Sequence, residues 1–138
     1  MKTFTARERL LAVAKKLPAD RAPCICPGGM MNMMFREIME ESGCPWPEAH
    51  TDPQKMAALV CTLNESGGFE NYGLPFCMTV EAEAMGARVN MGNLLCEPHV
   101  IASPLTSSAE INLLKPLNID VGRARVVVEA IKILRGRG

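Results

Sequence analysis

Cys77, Thr79, Glu81 and Glu83 occupy alternate positions of the stretch Phe76-Cys77-Met78-Thr79-Val80-Glu81-Ala82-Glu83-Ala84. In an extended chain that spacing puts all four side chains on one side, facing one cavity. A carboxylate in a partly apolar mouth is harder to ionise, which suits it to act as a general acid or to accept a hydrogen bond from a thiol or amine substrate. Glu81 is therefore the candidate catalytic residue, with Cys77, Thr79 and Glu83 as candidate substrate contacts. The competing reading is a short surface helix from Val80 to Met85 that leaves both carboxylates in water.

Other chemistry-bearing residues are more scattered. Cys24 and Cys26 would share one side of a strand, and thiolates can act as nucleophiles or zinc ligands. Their spacing is not that of a Cys-x2-Cys clip, and no second ligand pair follows, so Cys26 is read as lining a site or as a small buried hydrophobe. His50 and His99 stand alone, as structural hydrogen-bonding residues more than as ligands. A thiol metal module made from Cys24, Cys26 and a histidine is a minor alternative. Gly28-Gly29 before a helix would let backbone amides approach an anion, and Asn32, in the first turn of that helix, is the candidate polar contact.

The elements that must position these residues follow from local signals. Thr5-Ala6-Arg7-Glu8 is a capping box, with Leu10, Ala14 and Leu17 at helical spacing before Pro18, which predicts a helix from Thr5 to Leu17. Asp20-Arg21-Ala22-Pro23 is a turn into a short strand, Cys24-Ile25-Cys26, ended by Pro27-Gly28-Gly29. Met30 to Glu41 is helical, with Gly43 as its C-cap. Asp52 and Pro53 open a helix carrying Met56, Leu59, Val60 and Leu63 on one face, ended by Gly67-Gly68. Phe69 to Phe76 reads as a strand buried on both faces. Ala87 to Met91 and Leu94 to Ile101 read as a hairpin turning at Gly92-Asn93. Ser107-Ser108-Ala109-Glu110 is a second capping box, and a final helix spans Val126 to Leu134. The order is mixed α/β, within a single domain covering residues 1–138.

Composition narrows the function classes. Fifteen basic and fifteen acidic residues give zero net charge, with none of the basic excess that a nucleic-acid surface requires. No segment approaches the roughly 20 apolar residues of a membrane helix, and the N-terminus turns polar within a few residues. The expectation is a cytoplasmic protein that binds neither nucleic acid nor membrane. With 48% hydrophobic residues an ordinary core is available, so the six cysteines are expected as reduced thiols and not as a disulfide framework.

Three stretches together, Asp20-Arg21-Ala22-Pro23-Cys24-Ile25-Cys26-Pro27-Gly28-Gly29, Trp46-Pro47-Glu48-Ala49-His50 and Gly68 to Gly86, resemble the uroporphyrinogen decarboxylase superfamily. The resemblance runs from Arg7-Glu8-Arg9 to Ala130-Ile131, and Thr79-Val80-Glu81-Ala82-Glu83-Ala84 is similar to the corrinoid-linked methyltransferase branch, the methylcobamide:coenzyme M methyltransferases. It implies a (β/α)8 TIM barrel and transfer of a methyl group from a methyl-corrinoid protein to a thiol activated by zinc. A full barrel needs about 250 residues, so the expectation is an N-terminal barrel segment with extra helices and a β-hairpin. Its partners would be the remaining barrel half or a second copy of the chain, which would form a homo-oligomer.

The resemblance also implies limits. The family's zinc ligands, a His-x-Cys pair and a later cysteine, belong to the second half of the barrel and have no counterpart here, so no metal is assigned to this chain and it is expected to be inactive alone. Where the decarboxylases carry an arginine-rich signature, this chain reads Cys26-Pro27-Gly28-Gly29-Met30-Met31-Asn32-Met33. The decarboxylase aspartate falls on Cys77. Both differences argue against decarboxylation.

Overall fold

A computed structural model of the chain describes residues 3–26, 35–114 and 116–137. Helix α1 (Ala6–Ala14) opens on the expected capping box, with Thr5 accepting from the Glu8 amide and the Glu8 carboxylate accepting from the Thr5 amide. It stops earlier than Leu17, because Lys16 turns into the left-handed region at φ 56°. Within the described residues the next helix, α2 (Arg36–Ser42), ends on Gly43 at φ 64°, a conformation glycine adopts without steric cost. The expected start of that helix at Met30, together with Gly28, Gly29 and Asn32, lies outside the described residues.

Helix α3 (Pro53–Glu65) is the centre of the fold. Asp52 accepts from the amides of Gln54 and Lys55 at 2.8 and 3.2 Å, and Pro53 sits where no amide is needed. On one side Met56, Ala57, Val60 and Cys61 pack against Leu74, Ala130 and Leu134. On the other, Leu59 and Leu63 pack against Ile38, Met39, Cys44 and Ala49. Burying each such aliphatic side chain is worth about 1.5–3 kcal/mol, so α3 holds the first third of the chain to the last.

Two extended segments run beside this core in the same direction. The Glu70 amide donates to the Cys24 carbonyl at 2.8 Å, and the side chain of Asn71 then takes over from the backbone. Its Oδ1 accepts from the Cys26 amide at 2.9 Å and its Nδ2 donates to the Cys26 carbonyl at 2.6 Å. Neither Cys24–Cys26 nor Phe69–Phe76 forms the expected strand: the chain bends at Glu70 and Asn71, and the Asn71 side chain takes the place of a backbone rung between the two stretches.

The remaining elements are short. Helix α4 (Thr79–Ala84) follows the second extended segment, and strands β1 (Arg88–Asn90) and β2 (His99–Ala102) pair antiparallel, with Val89 opposite Val100 and Asn90 opposite His99. The hairpin is where the sequence places it, but the connection runs from Met91 to Pro98. Gly92 and Asn93 lie inside that loop, where Asn93 bridges to Cys96. The capping box at Ser107 opens a 3-10 helix, Ser108–Leu113. The final helix, α5 (Gly122–Arg135), begins a full turn before Val126. Helices around two extended segments and one two-stranded antiparallel sheet make up the described fold.

Candidate functional site

The extended segment that starts at Glu70 buries Leu74 and Cys77 and delivers the chain into α4. Thr79 and Glu83, four residues apart, share one face of that helix, while Glu81 lies about 200° around it. The extended reading, with Cys77, Thr79, Glu81 and Glu83 facing one cavity, gives way to the competing short helix: Thr79 lines one cleft, Glu83 another, and Cys77 is buried at 1% exposure, so three of the four meet at a buried side chain and not in a cavity. Thr79–Ala84 is helical because alanine and glutamate are good helix formers, and Glu81 is exposed on the outer face.

The three that converge do so on a residue of α5. The Arg123 guanidinium, 6% exposed, donates from Nη1 to the Cys77 sulfur at 2.9 Å and from Nη2 to the Thr79 hydroxyl at 2.7 Å, while Nε forms an ion pair with Glu83. Cys77 Sγ and Thr79 Oγ1 are 2.8 Å apart. Val80 and Ala124 close an apolar layer over Cys77, with Phe76 and Val127 packed against it. A planar fork with several fixed donors is suited to such a task, since it can bind a carboxylate, a hydroxyl and a sulfur at once. Sequence reading missed Arg123 by starting the last helix at Val126. The signal was present, since positions 123, 127, 130 and 134 continue the apolar stripe of that helix one turn back.

His50 adjoins this cluster. It is buried, its ring centroid is 4.9 Å from that of Trp46, and its Nε2 is a buried nitrogen with no hydrogen-bond partner among the described residues. Burial, and secondarily the Arg123 cation, push its pKa down to about 4, so at neutral pH the ring is uncharged. His99 is exposed, with Nδ1 3.2 Å from the Glu97 carbonyl. Thr79 and His99 line one cleft of about 720 Å³, with Met78, Leu95, Cys96 and Glu97, between α4 and the hairpin loop.

The paired thiols part company. Cys24 is exposed and Cys26 is buried, and no disulfide occurs among the described residues. Asn32 lies outside the described residues. No three His, Cys, Asp or Glu side chains are close enough to hold a metal ion among the described residues, so the zinc that the resemblance implies finds no fitting ligand set here. No helix of the described residues is long and apolar enough to cross a membrane.

A second buried arginine marks the other end of the extended pair. Arg9, 5% exposed, forms a two-pronged ion pair with Asp20 at 2.7 and 2.9 Å, binds Glu70 at 2.9 Å and donates to the Phe4 carbonyl at 2.8 Å. Arg21 pairs with the same Glu70 oxygen. The Arg9 hydrogen bonds hold the Asp20 carboxyl well below the usual carboxylate range. Burial works to raise Glu70, but the hydrogen bonds from Arg21 and Arg9 outweigh it and leave that carboxyl low as well. Sequence reading did not single out either arginine.

The profile of the family described as Uroporphyrinogen decarboxylase (URO-D) matches residues 5–137. The chain belongs to this family. Among curated relatives, the methylcobamide:CoM methyltransferase MtaA of Methanosarcina barkeri is 39% identical over 98% of the chain, and MtbA of Methanosarcina acetivorans is 38% identical over 97%. In each case the chain spans 39% of the relative's length. A solved methyltransferase from Methanosarcina mazei superposes with a TM-score of 0.83 at 40% identity, over 97% of this chain and 39% of that one. The resemblance read from the sequence is thereby established at the level of family, and the relatives named here are methyltransferases.

Proposed function

We propose that the chain forms part of a corrinoid-linked methyltransferase, moving a methyl group from a methyl-corrinoid protein to a thiol or similar acceptor. The observation that carries this reading is the match to methylcobamide:CoM methyltransferases along 97–98% of the chain. Two features of α4 support it: Glu81 is presented outward and exposed, and Thr79, on the other side of the helix, lines the cleft against the hairpin loop. The fold it implies is the N-terminal part of a TIM barrel, where side chains at the C-terminal ends of the strands do the chemistry.

In this reading Glu81 is the acting carboxylate, taking or holding the proton of the acceptor. Thr79 and Cys77 shape the wall behind it, and Asn32 and Cys26 remain proposed substrate contacts. The protein would work in the cytoplasm with a methyl-corrinoid protein. Because the chain spans 39% of its relatives' length, transfer is expected to require the complementary portion of the barrel. A zinc ion bound there would lower the pKa of the acceptor thiol, and no step is assigned to it within this chain. Decarboxylation is the poorer reading, since Arg123 already binds internal partners and a buried cation so engaged is not available to substrate carboxylates.

The test is methyl transfer from methylcobalamin to a small thiol, with this chain alone and together with the remaining portion of a relative. Turnover should appear with the complement and fall in Glu81→Gln with the fold intact. Unchanged turnover in Glu81→Gln removes Glu81 from the site, and no transfer under either condition overturns the reading.

One surface feature favours a noncatalytic, self-associating domain as a second reading. Met78 and Leu95 are 76% and 83% exposed and line one cleft together, an apolar surface that a second copy would cover. Light scattering with zinc quantified on the same sample separates the readings: a zinc-free dimer supports self-association, and a monomer removes it.

A further inference from the structure

We propose that Arg123 is a positioning residue that divides the two carboxylates of α4, fixing Glu83 inward with Thr79 and Cys77 and so setting Glu81 outward as the carboxylate a reacting partner meets. The inference rests on the reading of the α4 turn as part of a methyl-transfer site.

Three observations carry it. Arg123 is about nineteen-twentieths buried, and its donors reach three residues at once: the sulfur before the helix, the hydroxyl in its first turn and the carboxylate one turn on. A helix of six residues has little internal cooperativity, so its rotation about its own axis is set by such external contacts. Because Thr79 and Glu83 lie on one stripe and Glu81 opposite, fixing the stripe fixes where Glu81 points. Helix α4 also packs on β1, β2 and the apolar face of α5, contacts without the angular specificity of a hydrogen-bonded fork. Val80 is buried beside Ala124 and Val127, and apolar packing is non-directional, whereas the guanidinium fork is planar and specific in angle.

Arg123 comes from a different element, 40 positions beyond Glu83. It therefore couples the orientation of α4 to the seating of α5 on α3, where Ala130 and Leu134 pack against Met56, Ala57 and Val60.

The test is carboxylate footprinting of the whole chain with a carbodiimide and glycine ethyl ester, read by mass spectrometry at Glu81 and Glu83 with Glu48 and Glu110 as references. In the unaltered chain Glu81 should label several-fold faster than Glu83. Arg123→Gln should raise Glu83 labelling to the level of Glu81 while leaving the references unchanged, and Arg123→Lys, which keeps the charge, should restore part of the protection. Equal labelling of the two carboxylates in the unaltered chain overturns the proposal. So does an unchanged ratio in Arg123→Gln, or a rise at all four positions, which would make Arg123 a general support of the fold. Failure of the methyl-transfer reading would look different: the labelling ratio would stand while no methyl acceptor was ever converted.

Discussion

Two buried arginines sit at opposite ends of the same extended segment, and they keep different company. Arg9, at the end that begins with Glu70, is matched by two carboxylates and a backbone carbonyl, with Arg21 sharing one of those carboxylates. Arg123, at the end that leads into α4, is matched by one half-exposed carboxylate, a thiol and a hydroxyl. The first arrangement is an ionic network of two cations and two carboxylates, in which Glu70 Oε2 is buried with no hydrogen-bond partner among the described residues and Arg21 reaches solvent. The second sets a thiol, a hydroxyl and one carboxylate around a single cation, next to a neutral histidine whose Nε2 has no partner among the described residues. Removing the cation would leave two carboxylates uncompensated at the Arg9 cluster, but one carboxylate and two hydrogen-bonding groups at the Arg123 cluster.

The sharpest way to break the comparison is Arg9→Met, which strands Asp20 and Glu70 together without their shared cation. It should give the largest fall in thermal midpoint of any substitution considered. Arg123→Met should cost less, about 1–3 kcal/mol, because Glu83 keeps access to solvent and the thiol and hydroxyl are neutral partners. Chemical denaturation of the two variants side by side decides the order, and a larger loss at Arg123 would reverse the assignment of roles. Thr79→Val, which removes one hydroxyl from the Arg123 fork and keeps the shape, should cost about 1 kcal/mol. Glu81→Gln should change stability by less than about 0.5 kcal/mol, so any effect on methyl transfer would be a direct one.

Acid should separate the two ends along the pH axis. His50 has a folded-state pKa of about 4, below its ordinary value, so as pH falls from about 6.5 the unfolded chain takes up a proton that the folded chain refuses. Stability is lost across that window, from the Arg123 end first. Asp20 and Glu70 also have lowered pKa values, so their contribution is present above the ordinary carboxylate range, about pH 4, and is lost only below it. Unfolding free energy measured from pH 7 to pH 3 should show both phases. His50→Phe should flatten the first and leave the second, and a first phase that persists in His50→Phe would assign it elsewhere.

Helix starts with a side-chain cap were the legible part of this fold, because such a cap is written in nearby residues: Thr5 with Glu8, Asp52 with Pro53, Ser107 with Glu110. Helices α4 and α5 start on Met78 and Val121 without one. Helix α4 was not legible, since Cys77, Thr79, Glu81 and Glu83 satisfy a two-residue period while Thr79-Val80-Glu81-Ala82-Glu83-Ala84 also satisfies helix propensity, and the residues it packs against, Arg123, Ala124 and Val127, are remote in sequence. The same remoteness hid the network at Arg9, whose partners lie 11 and 61 positions away. Of the candidate site, Cys77, Thr79 and Glu83 were legible as a group, but the residue that gathers them was not. Asn71 shows a third kind of failure, because no pattern announces that a side chain will take the place of a backbone rung.

Asn71 also fixes how this protein can change length. With the Glu70 amide on Cys24 and the Asn71 side chain on both polar groups of Cys26, adjacent contacts measure the two segments against each other like a gauge block. An insertion or deletion of one residue between Cys24 and Cys26 must break one contact or the other. The loop from Met91 to Pro98 carries no comparable gauge spanning distant parts of the chain, so descendants of this sequence should vary in length there and keep the residue count from Cys24 to Cys26 constant.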